Sequence, residues 1–489
     1  MAVSDRPCLV WLRDDLRLAD NPALSAALAD GGGVHIAYIL EETGEGVRSP
    51  GSAARWWLGV SLAKLASALS QRGGSLILRR GAAEDEIPKL VRETGAGSVM
   101  WNRRYGPARE TDRKIKEQLR ESGTTAKSFP GALLSEPFTM LTGAGQGYKV
   151  FTPFWKALRS RYEPPPPLSA PTKILSPSPP PSDRLEDWGL QPVAPDWSGG
   201  MRTTWSPGED GAHARLAQFL SADAGYGQAR DRPALEGTSR LSPHLRFGEI
   251  APAAVWRAVR SAEAAGRIAQ DDAEKFLSEL AWRDFCRHLL FHDGELASVS
   301  WKRDFENLSW REPSSAELRA WRRGQTGYPI VDAGMRQLWT TGWMHNRVRM
   351  IAASFLTKHL LTHWRIGETW FWDTLADADE GSNPAGWQWV AGTGADASPY
   401  FRIFNPVLQG EKFDPDGAYV RAWAPELARL PNRFVHRPWE ADSAQLAAAG
   451  VRLGDTYPRP IVDHAFARRR ALDAYAALRA GSHTEGQDL

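Results

Sequence analysis

Six of the chain's 22 tryptophans fall within residues 342–406, at Trp343, Trp364, Trp370, Trp372, Trp387 and Trp389. Asn346, Arg349, Asp377, Asp379 and Asn383 lie among them. Aromatic rings supply flat stacking surfaces, and here they alternate with hydrogen-bonding and charged groups instead of more aliphatic side chains. That mixture suits a pocket for a planar ligand with polar edges. Asn346, Arg349 and Met350 stand at i, i+3 and i+4, so one helix face presents a donating and accepting amide, a cation and an adaptable thioether. The segment FLSELAWRDFCRHLL (276–290) repeats the arrangement, with Glu279, Trp282 and Arg283 on one face. Carboxylate, indole and guanidinium together can hold a flat, base-like ligand. Taken alone, the trio is better described as a surface ion pair beside a half-buried ring. His345 reads as a packed structural histidine, because no second ligand stands at metal spacing, and no metal site is expected.

A second chemical stretch is YGQARDRPALEGTSRLSPHLRFGE (226–249). Thr238, Ser239 and Ser242 place hydroxyls beside backbone amides freed by Gly237. Ser242-Pro243 reads as a helix N-cap followed by proline in the first turn. Such an end can hold a phosphate or be an ordinary capped turn. Residues 392–397 match a loose G-x-G-x-x-A, but Trp387-Gln388-Trp389 precedes them and no βαβ unit surrounds them, so no dinucleotide fingerprint is assigned.

The elements around these stretches differ in kind along the chain. Residues 8–12, 34–40, 76–78 and 98–101 are short apolar runs that alternate with helical patterns at 52–71, 84–93 and 109–121, and Asn21-Pro22 opens another helix. This rhythm predicts an N-terminal α/β domain, a Rossmann-like parallel sheet over 1–131. No G-x-G-x-x-G follows the first strand. Residues 132–207 form a long connector, proline-rich from 163 to 182. From 208 to 489 the pattern is helical, with periodic segments at 211–221, 251–264, 272–288, 314–323, 330–340, 346–362 and 464–480. A length of 489 residues suits two or three domains. The formal charge of +2 demands a local basic face for any nucleic-acid partner. Cys8 and Cys286 stand far apart, which argues against a disulfide framework and fits a reducing, cytoplasmic setting. No apolar run is long enough to span a membrane.

These residues carry a resemblance. EGTSRLS, ELAWRDFCRHLL, TGYPIVDAGMRQL, GWMHNRVRM, the WQW segment and PYFRIFNP, in that order, resemble the photolyase/cryptochrome flavoproteins over nearly the whole chain, and in particular the class I photolyases that repair cyclobutane pyrimidine dimers. The resemblance implies an all-α C-terminal domain that binds FAD. It implies that Tyr226, Thr238, Ser239, Arg240, Leu241 and Ser242 line the FAD phosphates. Arg349 would pair with Asp377 beneath the flavin, with Asp379 nearby, Arg283 in the same pocket and Asn383 at the flavin N5. A neutral amide there is compatible with a fully reduced flavin, whereas plant cryptochromes carry an acid. Trp387, Trp364 and Trp310 match the tryptophan chain that re-reduces the flavin. Glu279, Trp282, Asn346, Met350 and Trp389 match contacts to the dimer, and Arg230, Arg347 and Arg402 are candidates for the DNA phosphate face.

The implied activity is light-driven electron transfer from reduced FAD to a dimer flipped out of UV-damaged DNA, by a monomer. Burial is expected to raise the pKa of Glu279, so that it donates a proton to the developing charge. Ala378, Glu380 and Pro384 depart from the family pattern. WNRRYGPARETD lacks the Asn-Glu pair associated with folate binding, which leaves a deazaflavin, a flavin, a folate held differently or no second chromophore at all. Three other functions compete: a cryptochrome-like photosensor, a (6-4) photolyase and a non-enzymatic nucleic-acid-binding protein. His345-Asn346 stands where (6-4) photolyases place histidines, which favours dimer splitting.

Overall fold

The computed structural model describes residues 6–221 and 225–484. Its N-terminal part holds five parallel strands, β1 (Cys8–Leu12), β2 (Val34–Leu40), β3 (Leu76–Arg80), β4 (Ser98–Asn102) and β5 (Thr125–Phe129), in the order β3-β2-β1-β4-β5. Successive residues of β1 point to opposite faces. Cys8, Val10 and Leu12 join a core with α1 (Pro22–Ala29) and α2 (Ser52–Ser70), while Leu9 and Trp11 join another with α3 (Ala83–Thr94) and α4 (Arg109–Glu121). A sheet covered on both faces explains the nearly unbroken apolar strands. Asn21 caps α1 by accepting from the Leu24 amide at 3.2 Å, with Pro22 in its first turn.

The first of these cores continues into the helical half through Phe247, Trp343 and Ala376. The loop after β1 is the main coupling. The Leu16 amide donates to the Phe247 carbonyl at 3.0 Å, Arg17 donates to the Gly248 carbonyl at 2.9 Å, and Asp14 pairs with Arg246 at 2.6 Å. Gly248 has φ +61°, and a Cβ there would stand 2.0 Å from the Asp14 carbonyl oxygen, so both conformation and close approach require glycine.

Within 132–207, α5 (Phe151–Arg161) packs Phe151, Phe154 and Leu158 into a helical core. This helix escapes the sequence reading although Phe151, Phe154, Trp155 and Leu158 stand at i, i+3, i+4 and i+7, because the proline-rich stretch that follows dominates the segment. The proline-rich stretch is strapped to the sheet domain by backbone bonds from Asp20 to Leu168, from Ile174 to Arg72, from Val34 to Leu175 and from Asp183 to Leu78.

The helical half contains, among others, α6 (Ser242–Arg246), α7 (Gln270–His292), α8 (Pro329–Thr341), α9 (Asn346–Ser354), α10 (Trp364–Thr374), α11 (Ser382–Ala391) and α12 (His464–Thr484). The single helix expected over 346–362 is instead α9 followed by a π-helical turn, Phe355–His359. There the Thr357 hydroxyl donates back to the Ala353 carbonyl at 2.8 Å, and the buried Lys358 side chain donates from Nζ to the Ala391 carbonyl at 2.7 Å. Both distort a regular ladder.

Candidate functional site

Two adjoining cavities occupy the helical half. The first, of about 340 Å³, is lined by Tyr226, Ser239, Leu241, Ser242, Glu279, Arg283, Asn346, Arg349, Met350, Asp377, Asp379, Asn383 and Trp387, together with apolar side chains that include Phe371 and Val390. The second, of about 330 Å³, is lined by Arg230, Glu279, Trp282, Asn346, Arg347, Met350 and Trp389, among others. Glu279, Asn346 and Met350 belong to both walls.

On the 226–242 side, Tyr226, Ser239 and Ser242 bring hydroxyl-bearing side chains to the first cavity, with Leu241 beside them. α6 starts one residue earlier than read from sequence. Leu241 takes the N-cap position, and the Ser242 hydroxyl accepts from Trp343 Nε1 at 3.3 Å instead of capping. Thr238 and Arg240 adjoin the cavity without lining it. Arg240 has φ +51° and lies with its guanidinium 5.1 Å from the Trp343 ring centroid, paired with Glu236. Arg283 donates to the carbonyls of Ala132 at 2.6 Å and Leu245 at 3.0 Å, and so ties the connector to α6.

Across the cavity, Arg349 forms a two-pronged pair with Asp377, at 3.0 and 2.7 Å, and also donates to the Met344 carbonyl at 2.7 Å. Asp379 receives the amides of Gly381 at 2.8 Å and Ser382 at 2.7 Å and pairs with Arg287 at 3.2 Å. Burial opposes its ionisation, but the Arg287 charge and these amides hold its pKa down to about 2. Asn383 donates from Nδ2 to the backbone carbonyl of Glu368 at 3.0 Å and to its carboxylate at 2.7 Å. His345 caps α9 by accepting from the Arg347 amide at 3.2 Å, and burial holds it neutral, with its pKa pushed down to about 4.

The second cavity is an aromatic slot. Trp282 is fixed by stacking on Phe151, with ring centroids 3.8 Å apart and planes at 11°, and by an edge contact to Phe285 at 5.6 Å. Trp389 is half-buried on α11. Asn346 is exposed to the slot, and its amide approaches the Met350 sulfur at 4.0 Å.

The proton-donor role expected for Glu279 is corrected by its partners. Arg230 pairs with it, and Lys275 lies 2.9 Å away. Burial disfavours the charge, but the Arg230 hydrogen bond and positive field, aided by Lys275, outweigh that and lower the pKa. Glu279 is a carboxylate, able to accept and not to give a proton. The same pair draws Arg230 inward: its side chain is 13% exposed, not spread on a phosphate-facing rim. Arg347 is likewise engaged, with Asp231 at 2.8 Å. Arg402 is exposed and lines neither cavity.

Each of the three tryptophans expected to relay electrons packs against other rings. Trp387 is buried against Phe371, with centroids 4.9 Å apart. Trp364 is fully buried and donates to the Ser300 hydroxyl at 3.0 Å. His363 stands between Trp364 and Trp310, at 5.6 and 5.1 Å from their rings. Sequence reasoning overlooked His363, Glu368 and Lys275. The positions of Lys275 and Glu279, at i and i+4, were a readable signal for one of these contacts.

The donor set suits a nucleotide cofactor carrying a flat ring: hydroxyls and amides for phosphates on one side, and aromatic and aliphatic walls with one amide for the ring on the other. Comparison with known proteins agrees. Residues 8–172 match the family described as DNA photolyase, and residues 276–477 match the FAD binding domain of DNA photolyase. The chain is 52% identical over 482 residues to the deoxyribodipyrimidine photo-lyase of Agrobacterium fabrum, covering 98% of this chain and 99% of that protein. A crystal structure of a bacterial class III photolyase from Agrobacterium tumefaciens superposes with a TM-score of 0.94 at 52% identity, covering 98% of this chain and 99% of that one. Cryptochrome-2 of Arabidopsis thaliana is 37% identical, across 97% of this chain and 79% of the cryptochrome. Sequence, cavity chemistry and likeness converge: the chain belongs to the DNA photolyase family of flavoprotein enzymes, whose helical half binds FAD and to which the cryptochromes are related.

Proposed function

We propose that the protein repairs cyclobutane pyrimidine dimers in UV-damaged DNA under blue or near-UV light. The observation that carries this reading is the pair of cavities with a common wall: a nucleotide-cofactor pocket opens onto an aromatic slot through Glu279, Asn346 and Met350. Ser239, Ser242, Arg349, Asp377 and Asn383 would hold FAD, which when bound would supply the light-driven electron.

The remaining work falls to this chain's side chains. Extrusion from the duplex costs a few kcal/mol, less for a lesion that already stacks badly. Trp282 and Trp389 receive the fused rings between apolar faces. Phe151 holds the Trp282 ring in place, so little ordering remains when the lesion enters. Glu279, kept ionised by Arg230 and Lys275, accepts an imide N–H of the dimer, and Asn346 pairs with a carbonyl edge. Met350 fills the apolar gap between them. Arg402 and other exposed basic groups supply phosphate attraction that weakens as salt rises. On this reading the active species is a monomer, with residues of this chain lining both cavities. No helix among the described residues is long and apolar enough to cross a membrane.

The test is repair of an oligonucleotide bearing one cyclobutane dimer, illuminated with blue light, beside the same strand bearing a (6-4) lesion. Light-dependent restoration of the first strand alone is the expected result. Restoration of the second strand alone would establish (6-4) repair. Failure on both by a flavin-loaded protein would favour a photosensor of the kind suggested by the cryptochrome likeness. Glu279→Gln is expected to weaken dimer binding and to leave the pH profile of repair unchanged, since no proton leaves this group.

A further inference from the structure

We infer that Arg48, which lies in the α/β half, is a positioning residue for the cofactor pocket: acting through Glu368, it fixes which atom of the Asn383 amide faces the cavity. The inference rests on the reading of that cavity as the FAD pocket.

Arg48 follows β2 in the segment leading to α2, some 320 residues from its partner in sequence. Its two terminal nitrogens donate to the two carboxylate oxygens of Glu368, at 2.6 and 2.9 Å. The guanidinium lies 3.8 Å from the Trp372 ring centroid, and Trp372 Nε1 donates to the Ser49 carbonyl at 2.9 Å, so the cation is clamped from both halves of the protein. Glu368 is 2% exposed. Both Glu368 oxygens act as acceptors toward the guanidinium fork.

The consequence for Asn383 follows from counting donors and acceptors. A primary amide has two donors on nitrogen and one acceptor oxygen. Asn383 Nδ2 meets only acceptors on Glu368, the backbone carbonyl at 3.0 Å and the carboxylate at 2.7 Å. Turning the amide over would set Oδ1 against both oxygens and forfeit both bonds. The amide is therefore held with Nδ2 toward Glu368, and Oδ1 is left as the acceptor for the cavity that Asn383 lines.

An acceptor at that wall favours a ligand atom that carries hydrogen. A flavin ring nitrogen gains hydrogen only on reduction, when an electron from a reductant is accompanied by a proton from solvent. The Arg48–Glu368 pair thus biases the pocket toward the protonated, reduced ring without touching it. Removal of Arg48 releases the Glu368 carboxylate from its two-pronged pair, so neither it nor the amide it grips is held in one orientation.

The experiment compares wild type, Arg48→Met, Arg48→Lys and Glu368→Gln. The midpoint potential of the bound flavin is measured by dye-coupled dithionite titration. The visible spectrum after one-electron reduction shows whether the ring nitrogen holds its proton. Flavin content and thermal midpoint are recorded alongside. Arg48→Met and Glu368→Gln are expected to keep the flavin and to lose about tenfold of the preference for the reduced ring, a fall of about 59 mV for a one-electron couple. Arg48→Lys is expected to recover part of this shift. If Arg48→Met does not fold, the nearly isosteric Glu368→Gln carries the comparison. Variants that hold flavin at the wild-type potential, with the wild-type spectrum, would overturn the inference alone. A wild-type protein that binds no flavin would overturn the FAD reading and this inference with it.

Discussion

Gly367 on α10 offers a quantitative test of how the cofactor pocket is braced. A methyl group at this position would stand 2.1 Å from Cη2 and 2.4 Å from Cζ3 of Trp387, and 2.6 Å from a Leu356 methyl. Carbon atoms rest at about 3.5–4.0 Å, so a neighbour must shift by more than about 1 Å. Trp387 has little room: it is 2% exposed, with Phe371 at 4.9 Å and Trp321 at 6.1 Å, and the cavity it lines would be filled by the bound flavin. Alanine gains about 1 kcal/mol over glycine from helix propensity, whereas overpacking a rigid core costs about 1–3 kcal/mol. The upper part of that range applies, because the obstacle is a closed-in indole and not a flexible side-chain end. Gly367→Ala is therefore expected to lose about 1–2 kcal/mol net. The same push moves Trp387, so light-driven reduction of the bound flavin should slow as well. Urea unfolding of the flavin-loaded protein and photoreduction with an external thiol measure the two effects. A variant more stable than wild type by about 1 kcal/mol, the propensity gain alone, would refute the steric argument.

Other outcomes follow from the same geometry. Asp377→Asn removes the charge that Arg349 grips, and breaking so buried a pair costs about 3–5 kcal/mol, with the lower end applying because Arg349 is 24% exposed; flavin retention on a desalting column and thermal midpoint should both fall. Burial pushes His345 down to about 4 and His359 to about 3, from an ordinary value of 6.5. The unfolded chain therefore takes up protons that the folded chain refuses. Stability is full above pH about 6.5 and falls as pH drops toward 4, by up to about 1.4 kcal/mol per unit for each histidine. His345→Gln, which keeps an acceptor for the α9 cap, should show a shallower acid limb in thermal midpoints between pH 4.5 and 7 (about two units of the window set by that shift). Trp364→Phe and Trp310→Phe should each strongly slow photoreduction of the flavin, while Trp256→Phe, whose ring meets Trp155 and Tyr162 instead, should leave it unchanged.

Much of this site was legible before any coordinates. The alternation of short apolar runs with amphipathic helices is a local property, and it marks the sheet and its flanking helices because each pattern spans only one element. The spacing Asn346, Arg349, Met350 and the spacing Glu279, Trp282, Arg283 survive into the walls of the two cavities for the same reason. Partnerships between elements were not legible. Nothing around Glu279 announces that Arg230 neutralises it, and a reading from burial alone reversed its protonation state. The Arg48–Glu368 contact spans the two halves of the chain and has no local period. The π-helical turn depends on a buried lysine finding a carbonyl on α11, which a helical wheel cannot show. Class is a finer matter still: the shared motifs drew the comparison toward class I, while the 52% identical crystal structure is of a class III photolyase.

The strapped connector has a mechanical meaning. Main-chain bonds fasten residues 168–183 to Asp20, Val34, Arg72 and Leu78 of the sheet domain, and that domain is bonded in turn to Arg246, Phe247 and Gly248 of the helical half through Asp14, Leu16 and Arg17. On the proposed repair reading, a frame braced in this way would leave the bending needed for docking to the double helix. Sites where the helix is already limp are entered most readily, so the search for damage becomes a survey of local stiffness.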